Sequence, residues 1–287
     1  MKPPLLELKD MCKQFLLDDC HTIDALRHVS LSVGYGETVG LIGESGCGKS
    51  TLARMAMGLY TPDQGDVYFE GMSLRSRQGL QAAQHGMHLI FQDSDGALDP
   101  HMTSAQSIRE GLRLSGHGRE EGRQIDELLH CVGLEPRHGQ AYPAELSGGQ
   151  RQRVAIARCL AVKPKLIIAD EPIASLDVSI QAQIINLLMD LQEQQHFSML
   201  FIAHDLAVVR HISHRVVVMY EGCVVEEGPT DRVFSHPGHA YTRRLLASIL
   251  RPDPLYERNK PGLPHMDDAV MLGGELQEIE SGHKVRC

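Results

Sequence analysis

Gly43-Glu44-Ser45-Gly46-Cys47-Gly48-Lys49-Ser50-Thr51 is the stretch on which the fold turns. Its spacing is G-x-x-x-x-G-K-S, the form of a phosphate-binding loop. The run before it, Thr38-Val39-Gly40-Leu41-Ile42, is short and apolar, as a buried strand is. The run after it, Leu52-Ala53-Arg54-Met55-Ala56-Met57, reads as a helix. Strand, glycine loop and helix in that order are the context the motif requires. The glycines let successive N–H groups face phosphate oxygens, and the helix N-terminus adds a favourable dipole. Lys49 is placed to reach the β- and γ-phosphates, and Ser50 to offer its hydroxyl to Mg²⁺. The competing reading, a glycine-rich turn matching by chance, has no use for the flanking strand and helix.

Around this loop lie 287 residues, 42% of them hydrophobic. That suffices for one sizeable α/β domain with an appendage. The net charge is −9, with acids and bases spread along the chain and no long basic block, so nothing marks a nucleic-acid surface. Seven cysteines are scattered with neither C-x-x-C nor zinc spacing, which reads as free thiols in a reducing compartment. The start, Met1-Lys2-Pro3-Pro4-Leu5-Leu6-Glu7, lacks the apolar core of a signal peptide. No apolar run approaches the roughly 18 residues of a membrane span. The expectation is a soluble protein, or one held to a membrane through partners.

Residues 5–9 and 29–33 read as strands, with Lys13-Gln14-Phe15 between them. Phe15 is placed to stack on a purine ring; plain core packing is its other reading. Gly65 to Gly71 looks like a hairpin strand bounded by glycines. Met87-His88-Leu89-Ile90-Phe91 is a short strand that ends at Gln92, at the edge where ligands bind in open α/β sheets. Gln92 can accept from a metal-bound water, or it is only a polar strand end. From Asp93 to about Glu145, proline, glycines and helical patterns suggest a small helical insertion.

Leu146-Ser147-Gly148-Gly149-Gln150 then opens a helix with apolar residues on one face and arginines on the other. Ser147 and Gly148 thus sit at a second anion-binding helix start. Two such starts on separate subdomains suggest a nucleotide clasped between two chains. Lys165-Leu166-Ile167-Ile168-Ala169-Asp170-Glu171-Pro172 reads as a buried strand ending in two acids. Asp170 is the candidate Mg²⁺ holder, and Glu171, facing the other way, the candidate general base. A capped turn is the alternative for the pair. Asp177, in Ser175-Leu176-Asp177, follows within a turn and is expected near a partner's nucleotide. A further strand, Ser198 to Ala203, ends at His204, which can donate to a γ-phosphate oxygen and orient water. His211 and His214, three apart on an expected helix, are too few for a metal site. Val216 to Tyr220 and Cys223 to Gly228 form a hairpin about Glu221-Gly222. Beyond it a helix from Arg243 to Leu250 is broken at Pro252, and from about Asn259 the tail is expected to be mobile or loosely packed.

These residues, in this order, resemble an ABC transporter ATPase subunit over about residues 5–235. The motifs are Gly43 to Thr51, Gln92, the signature Leu146 to Gln150, Leu166 to Glu171, Ser175-Leu176-Asp177 and His204. The chain looks most like the peptide/nickel importer branch. That likeness rests on Phe91-Gln92-Asp93-Ser94 with Ala97 to Thr103, on Ser175 to Gln183, and on His236-Pro237-Gly238-His239-Ala240-Tyr241-Thr242. It departs at Asp99 and Ser94, where the branch usually has Asn and Pro. Cys287 alone follows Cys223, so the iron–sulfur cluster of some peptide-type relatives is not expected.

The resemblance implies an α/β fold: a P-loop NTPase with a RecA-like core sheet, an antiparallel β-subdomain and an inserted α-helical subdomain at about 93–160. It implies an ATPase domain over 1–235 and an oligopeptide/dipeptide-type C-terminal extension over 236–287. It further implies ATP and Mg²⁺ as cofactors, with ATP held by Phe15, by Gly43, Glu44, Ser45, Gly46, Cys47, Gly48, Lys49, Ser50 and Thr51, and by Ser147, Gly148, Gly149, Gln150 and Asp177 of a facing subunit. Ser50, Gln92 and Asp170 would hold the metal; Glu171, His204 and Gln92 would act in catalysis. The implied partners are a second ABC ATPase subunit, as a heterodimer, two transmembrane permease subunits, and an extracellular or periplasmic binding protein reached through them. The implied place is the cytoplasmic face of the inner membrane. Peptides are the expected cargo, with nickel or a metallophore as the alternative.

Other classes fit less well. DNA-repair relatives insert long coiled coils where only about 50 residues separate Gln92 from Leu146. Ribosome-acting relatives carry each motif twice, and exporters usually fuse membrane spans. A non-catalytic scaffold has no need of Asp170, Glu171 and His204 together.

Overall fold

The runs Thr38–Ile42, Leu166–Asp170 and Ser198–Ile202 are buried at every position. Strands covered on both faces read as unbroken apolar runs, and these three lie side by side in the main sheet. The structure, a computed structural model, describes residues 3–18, 21–91, 94–115, 121–247 and 274–286. Its strands are β1 (Leu6–Asp18), β2 (His21–Val33), β3 (Thr38–Ile42), β4 (Gln64–Phe69), β5 (Met72–Ser73), β6 (Met87–Ile90), β7 (Leu166–Asp170), β8 (Ser198–Ile202), β9 (Arg215–Tyr220), β10 (Cys223–Pro229), β11 (Leu276–Glu280) and β12 (His283–Arg286). Its helices are α1 (Lys49–Ala56), α2 (Arg77–Gly86), α3 (Ser94–Ala97), α4 (Ser104–Leu114), α5 (Glu121–Cys131), α6 (Gly148–Ala161), α7 (Val178–Gln195), α8 (Leu206–Ile212), α9 (Thr230–Ser235) and α10 (Ala240–Ala247).

The main sheet runs β11-β12-β10-β9-β3-β8-β7-β6. Strands β9, β3, β8, β7 and β6 are parallel, and β10, β12 and β11 add an antiparallel edge. Side chains alternate between two cores, as the two-residue period of a strand demands. Ile167, Met199, Phe201, Val216 and Val218 face a core shared with α4 to α8. Ile168, Leu200, Ile202, Val217 and Met219 face the other, with Leu52, Ala53 and Met55 of α1. That second core is closed by Leu6, Leu8, Val29, Val67 and Phe69, from the antiparallel sheet β2-β1-β4-β5. Helix α1 therefore lies between two sheets, and the loop before it is clamped from both sides.

The expected elements are present, with three differences. Lys13-Gln14-Phe15 lies within β1, in register with β2, rather than between two strands. Helix α8 ends at Ile212, so His214 is not on it; its Nδ1 accepts the Thr38 N–H at 3.0 Å instead. The third concerns the tail. Residues 274–286 are ordered, because β11 and β12 form a hairpin whose β12 pairs Val285 with Glu226 of β10. Residues 248–273, which include Asn259 and the expected helix break at Pro252, lie outside the described residues.

The anchor of that hairpin is Glu226, a fully buried carboxylate. It accepts N–H bonds from Gly238 at 2.8 Å and His239 at 2.9 Å, and meets His283 Nε2 at 2.7 Å. Buried donors that lose their acceptor keep their full desolvation cost. Glu226→Ala is therefore expected to lower stability by about 2–3 kcal/mol, read as a lower urea midpoint with unchanged slope.

Candidate nucleotide site

The carboxyl ends of β3, β7 and β8 converge on one edge of the sheet, where open α/β sheets bind ligands. The loop after β3 is held open by geometry only glycine tolerates. Gly43 has φ +153°, and a Cβ there would lie 2.2 Å from the Met219 carbonyl oxygen. Gly48 has φ +104°, and its Cβ would lie 2.3 Å from the Ala25 carbonyl oxygen. Both obstacles are backbone and cannot rotate away. The loop thus curls tightly into the N-terminus of α1, with the Cys47 N–H bonded to the Glu44 carbonyl at 3.3 Å inside the turn.

A cavity of about 270 Å³ opens over it, lined by Ser45, Gly46, Gly48, Lys49, Ser50, Thr51 and Glu171, with Ile23 and Ala25 of β2 as a roof. The Lys49 ammonium, only 5% exposed, donates to the carbonyls of Gly43 and Glu44, both at 2.8 Å. Its charge is held at the loop's mouth. Cys47 is buried beneath, its Sγ 3.8 Å from Lys49 Nζ. Burial raises its thiol pKa against the lysine's opposing charge, so it is a packing residue of the loop.

Ser50 Oγ donates to Asp170 Oδ1 at 3.1 Å across 120 residues of chain. Burial pushes the Asp170 carboxyl above its ordinary value; the Ser50 hydrogen bond acts the other way, and the neighbouring Glu171 charge adds to the rise. Glu171 leaves the strand with φ +48°, its N–H bonded to the Ile202 carbonyl at 2.9 Å. Glu171 lines the phosphate-loop cavity and also a smaller one of about 60 Å³ with His204, Gln181 and Asp205. His204 Nδ1 stands 3.6 Å from Glu171 Oε2, an ion-pair distance rather than a hydrogen bond.

The remaining candidates are placed elsewhere. Ser147 caps α6: its Oγ accepts the Gln150 N–H at 3.3 Å, and Gln150 Oε1 accepts the Ser147 N–H at 2.9 Å. Ser147 is exposed, Gly148, Gly149 and Gln150 are half-buried, and none lines the phosphate-loop cavity. Asp177 precedes α7, exposed, and makes no side-chain cap. Phe15 is half-buried against Tyr60, edge-to-face at 5.7 Å. It does not line the cavity, but Ile23, its register partner in β2, does. Gln92 lies outside the described residues.

Comparison with known proteins agrees with this fold. The sequence profile described as ABC transporter matches residues 26–174, and that of the oligopeptide/dipeptide transporter C-terminal region matches residues 225–270. The chain belongs to the ABC transporter family. It is an ABC ATPase, a nucleotide-binding subunit of the oligopeptide/dipeptide branch. It is 45% identical over 299 residues to the oligopeptide transport ATP-binding protein OppF of Bacillus subtilis, covering 100% of this chain and 97% of that protein. It is 42% identical over 290 residues to the dipeptide transport ATP-binding protein DppF of Lactococcus lactis subsp. cremoris, covering 98% and 93%. Among solved structures, the ATP-binding cassette MJ0796, a dimer in a post-hydrolysis state bound to ADP and Pi, superposes with a TM-score of 0.71 at 31% identity, covering 78% of this chain and 98% of that one.

Two groups in this ABC ATPase carry no sequence signal of their own. Ile23 and Ala25 roof the cavity from a strand with no motif. Tyr241, legible only as part of a branch-specific segment, places its hydroxyl on the phosphate loop. Among the described residues no helix is long and apolar enough to cross a membrane.

Proposed function

We propose that this ABC ATPase drives peptide import, hydrolysing ATP with Mg²⁺ as one of two facing ATPase subunits attached to two membrane permeases at the cytoplasmic face of the inner membrane. The observation that carries the hydrolytic reading is Glu171 opening into the same cavity as Lys49 and Ser50. Full-length likeness to proteins named for oligopeptide and dipeptide transport supports peptides as the cargo and weighs against nickel.

The residues divide the work. The loop amides of Ser45 to Thr51 and the Lys49 ammonium bind the phosphates. Ser50 and Asp170 fit Mg²⁺: they are hard oxygen donors already 3.1 Å apart, and a cation there would offset the cost of the buried carboxylate. Gln92 belongs to the same proposed set. When bound, the metal would neutralise charge on the phosphates. Glu171 takes the proton of the attacking water, and His204 orients the reacting groups beside it. Phe15 and the β1–β2 ribbon cover the purine end. The Ser147-to-Gln150 helix start, with Ser147 exposed, and the exposed Asp177 suit the nucleotide of the facing subunit, since they stand clear of this chain's own cavity. The proposed ATPase domain spans 1–235, with helices over about 93–160 and an extension over 236–287.

Reconstitution tests this reading. The subunit, assembled with its permeases and binding protein in vesicles, is expected to release phosphate faster when the binding protein carries peptide. Stimulation by Ni²⁺ instead of peptide would overturn the assignment of cargo; no hydrolysis in the full complex would overturn the whole.

A further inference from the structure

The segment after β10 reaches back to the phosphate loop. Tyr241 is fully buried, and its hydroxyl accepts the Glu44 N–H at 2.9 Å, although the two residues are 197 apart in sequence. Its ring lies on Tyr220, with centroids 4.4 Å apart and a tilt of 37°. Arg244, one turn on along α10, sets its guanidinium over both rings, at 6.0 Å and 5.5 Å. Its Nη2 stands 3.5 Å from Glu44 Oε1. Glu44 is therefore gripped at backbone and side chain by one face of α10, since residues three apart share a helix face. The far end of the segment is fixed by Glu226, which takes the N–H groups of Gly238 and His239 and meets His283 of β12.

Glu44 does not line the nucleotide cavity, yet it joins Gly43 to Ser45, and Ser45 does. A hydroxyl holding the Glu44 amide thus fixes the first turn of the loop without touching the nucleotide. We infer that Tyr241 is a positioning residue for the phosphate loop, through which the C-terminal segment sets the affinity for ATP. The inference rests on the reading of Gly43 to Thr51 as the nucleotide site. Burial raises the phenol's pKa further above its ordinary value, so the hydroxyl is neutral at working pH.

Tyr241→Phe keeps the ring on Tyr220 and removes only the hydroxyl. In the full-length protein it is expected to weaken ATP binding about three- to tenfold, the worth of one net hydrogen bond. In the assembled transporter KM for ATP should rise by a similar factor while kcat at saturating ATP stays the same. A merely structural role would lower the fraction of active protein and leave KM alone. Arg244→Ala, at a half-exposed site, provides a second measurement should Tyr241→Phe not fold, with a smaller shift in the same direction. Equal ATP affinities for wild type and both variants would overturn the inference but leave the nucleotide site standing, as would a loss of kcat with KM unmoved. Wild type failing to bind ATP would overturn both.

Discussion

Replacing Glu171 by Gln is expected to cut ATP hydrolysis by the assembled transporter about a hundredfold or more, the range of a lost general base, while ATP affinity changes little. Gln matches Glu in shape and adopts the same backbone, so the φ +48° turn and its bond to Ile202 survive. What disappears is the negative oxygen between the two cavities. Binding depends on the other wall, the loop amides and Lys49, which the substitution does not touch. Phosphate release and equilibrium ATP binding, measured on one preparation, separate the two effects. Hydrolysis at the wild-type rate would remove Glu171 from the mechanism. His204 Nδ1 stands 3.6 Å from the Glu171 carboxylate, so part of the loss should be absent in a His204→Ala background, because groups acting as a unit are not additive.

Lys49→Ala is expected to act on the other quantity. ATP affinity should fall by about ten- to a hundredfold, since hydrogen bonds to charged groups are worth roughly 1.5–3 kcal/mol. The ammonium is buried and held by two loop carbonyls, so in the wild-type protein it loses little freedom on meeting phosphate. Alanine also leaves the Gly43 and Glu44 carbonyls without this donor, so a modest fall in thermal midpoint is expected, and affinity is compared below that midpoint. A binding constant within twofold of wild type would show that the amides alone carry the phosphates.

The two variants together define how the work is split. In the proposed mechanism one wall of the cavity, from the loop after β3 and the start of α1, recognises phosphate. The other, from the end of β7, supplies the base. They meet because β7 and β3 are separated only by β8 in a parallel sheet, which brings the carboxyl ends of all three to one edge.

Much of this arrangement is legible in the chain. The phosphate loop announces itself because glycine at Gly43 and Gly48 is a steric requirement, and its flanking strand and helix are strongly patterned. The pair Asp170-Glu171 stands out because four apolar residues precede two acids. The Ser147 helix start is legible because a capping box is a local device, closed within three residues. The C-terminal hairpin is not. Its signal is a turn at Ser281-Gly282 followed by two buried positions, His283 and Val285, and so short an alternation gains meaning only when β10 is seen beside it. The cavity roof is equally silent, since Ile23 and Ala25 are ordinary strand residues.

Local chemistry, then, is what the amino-acid order determined by itself: a glycine loop, buried strands, a helix start and the acids at a strand end, each specified by neighbours a few residues away. Tertiary structure alone decided which of these face one another. Ser50 meets Asp170, Glu171 opens toward both Lys49 and His204, and Tyr241 grips an amide near the other end of the chain. Such contacts depend on strand order and on the depth of a buried side chain, and neither leaves a periodic trace in the sequence.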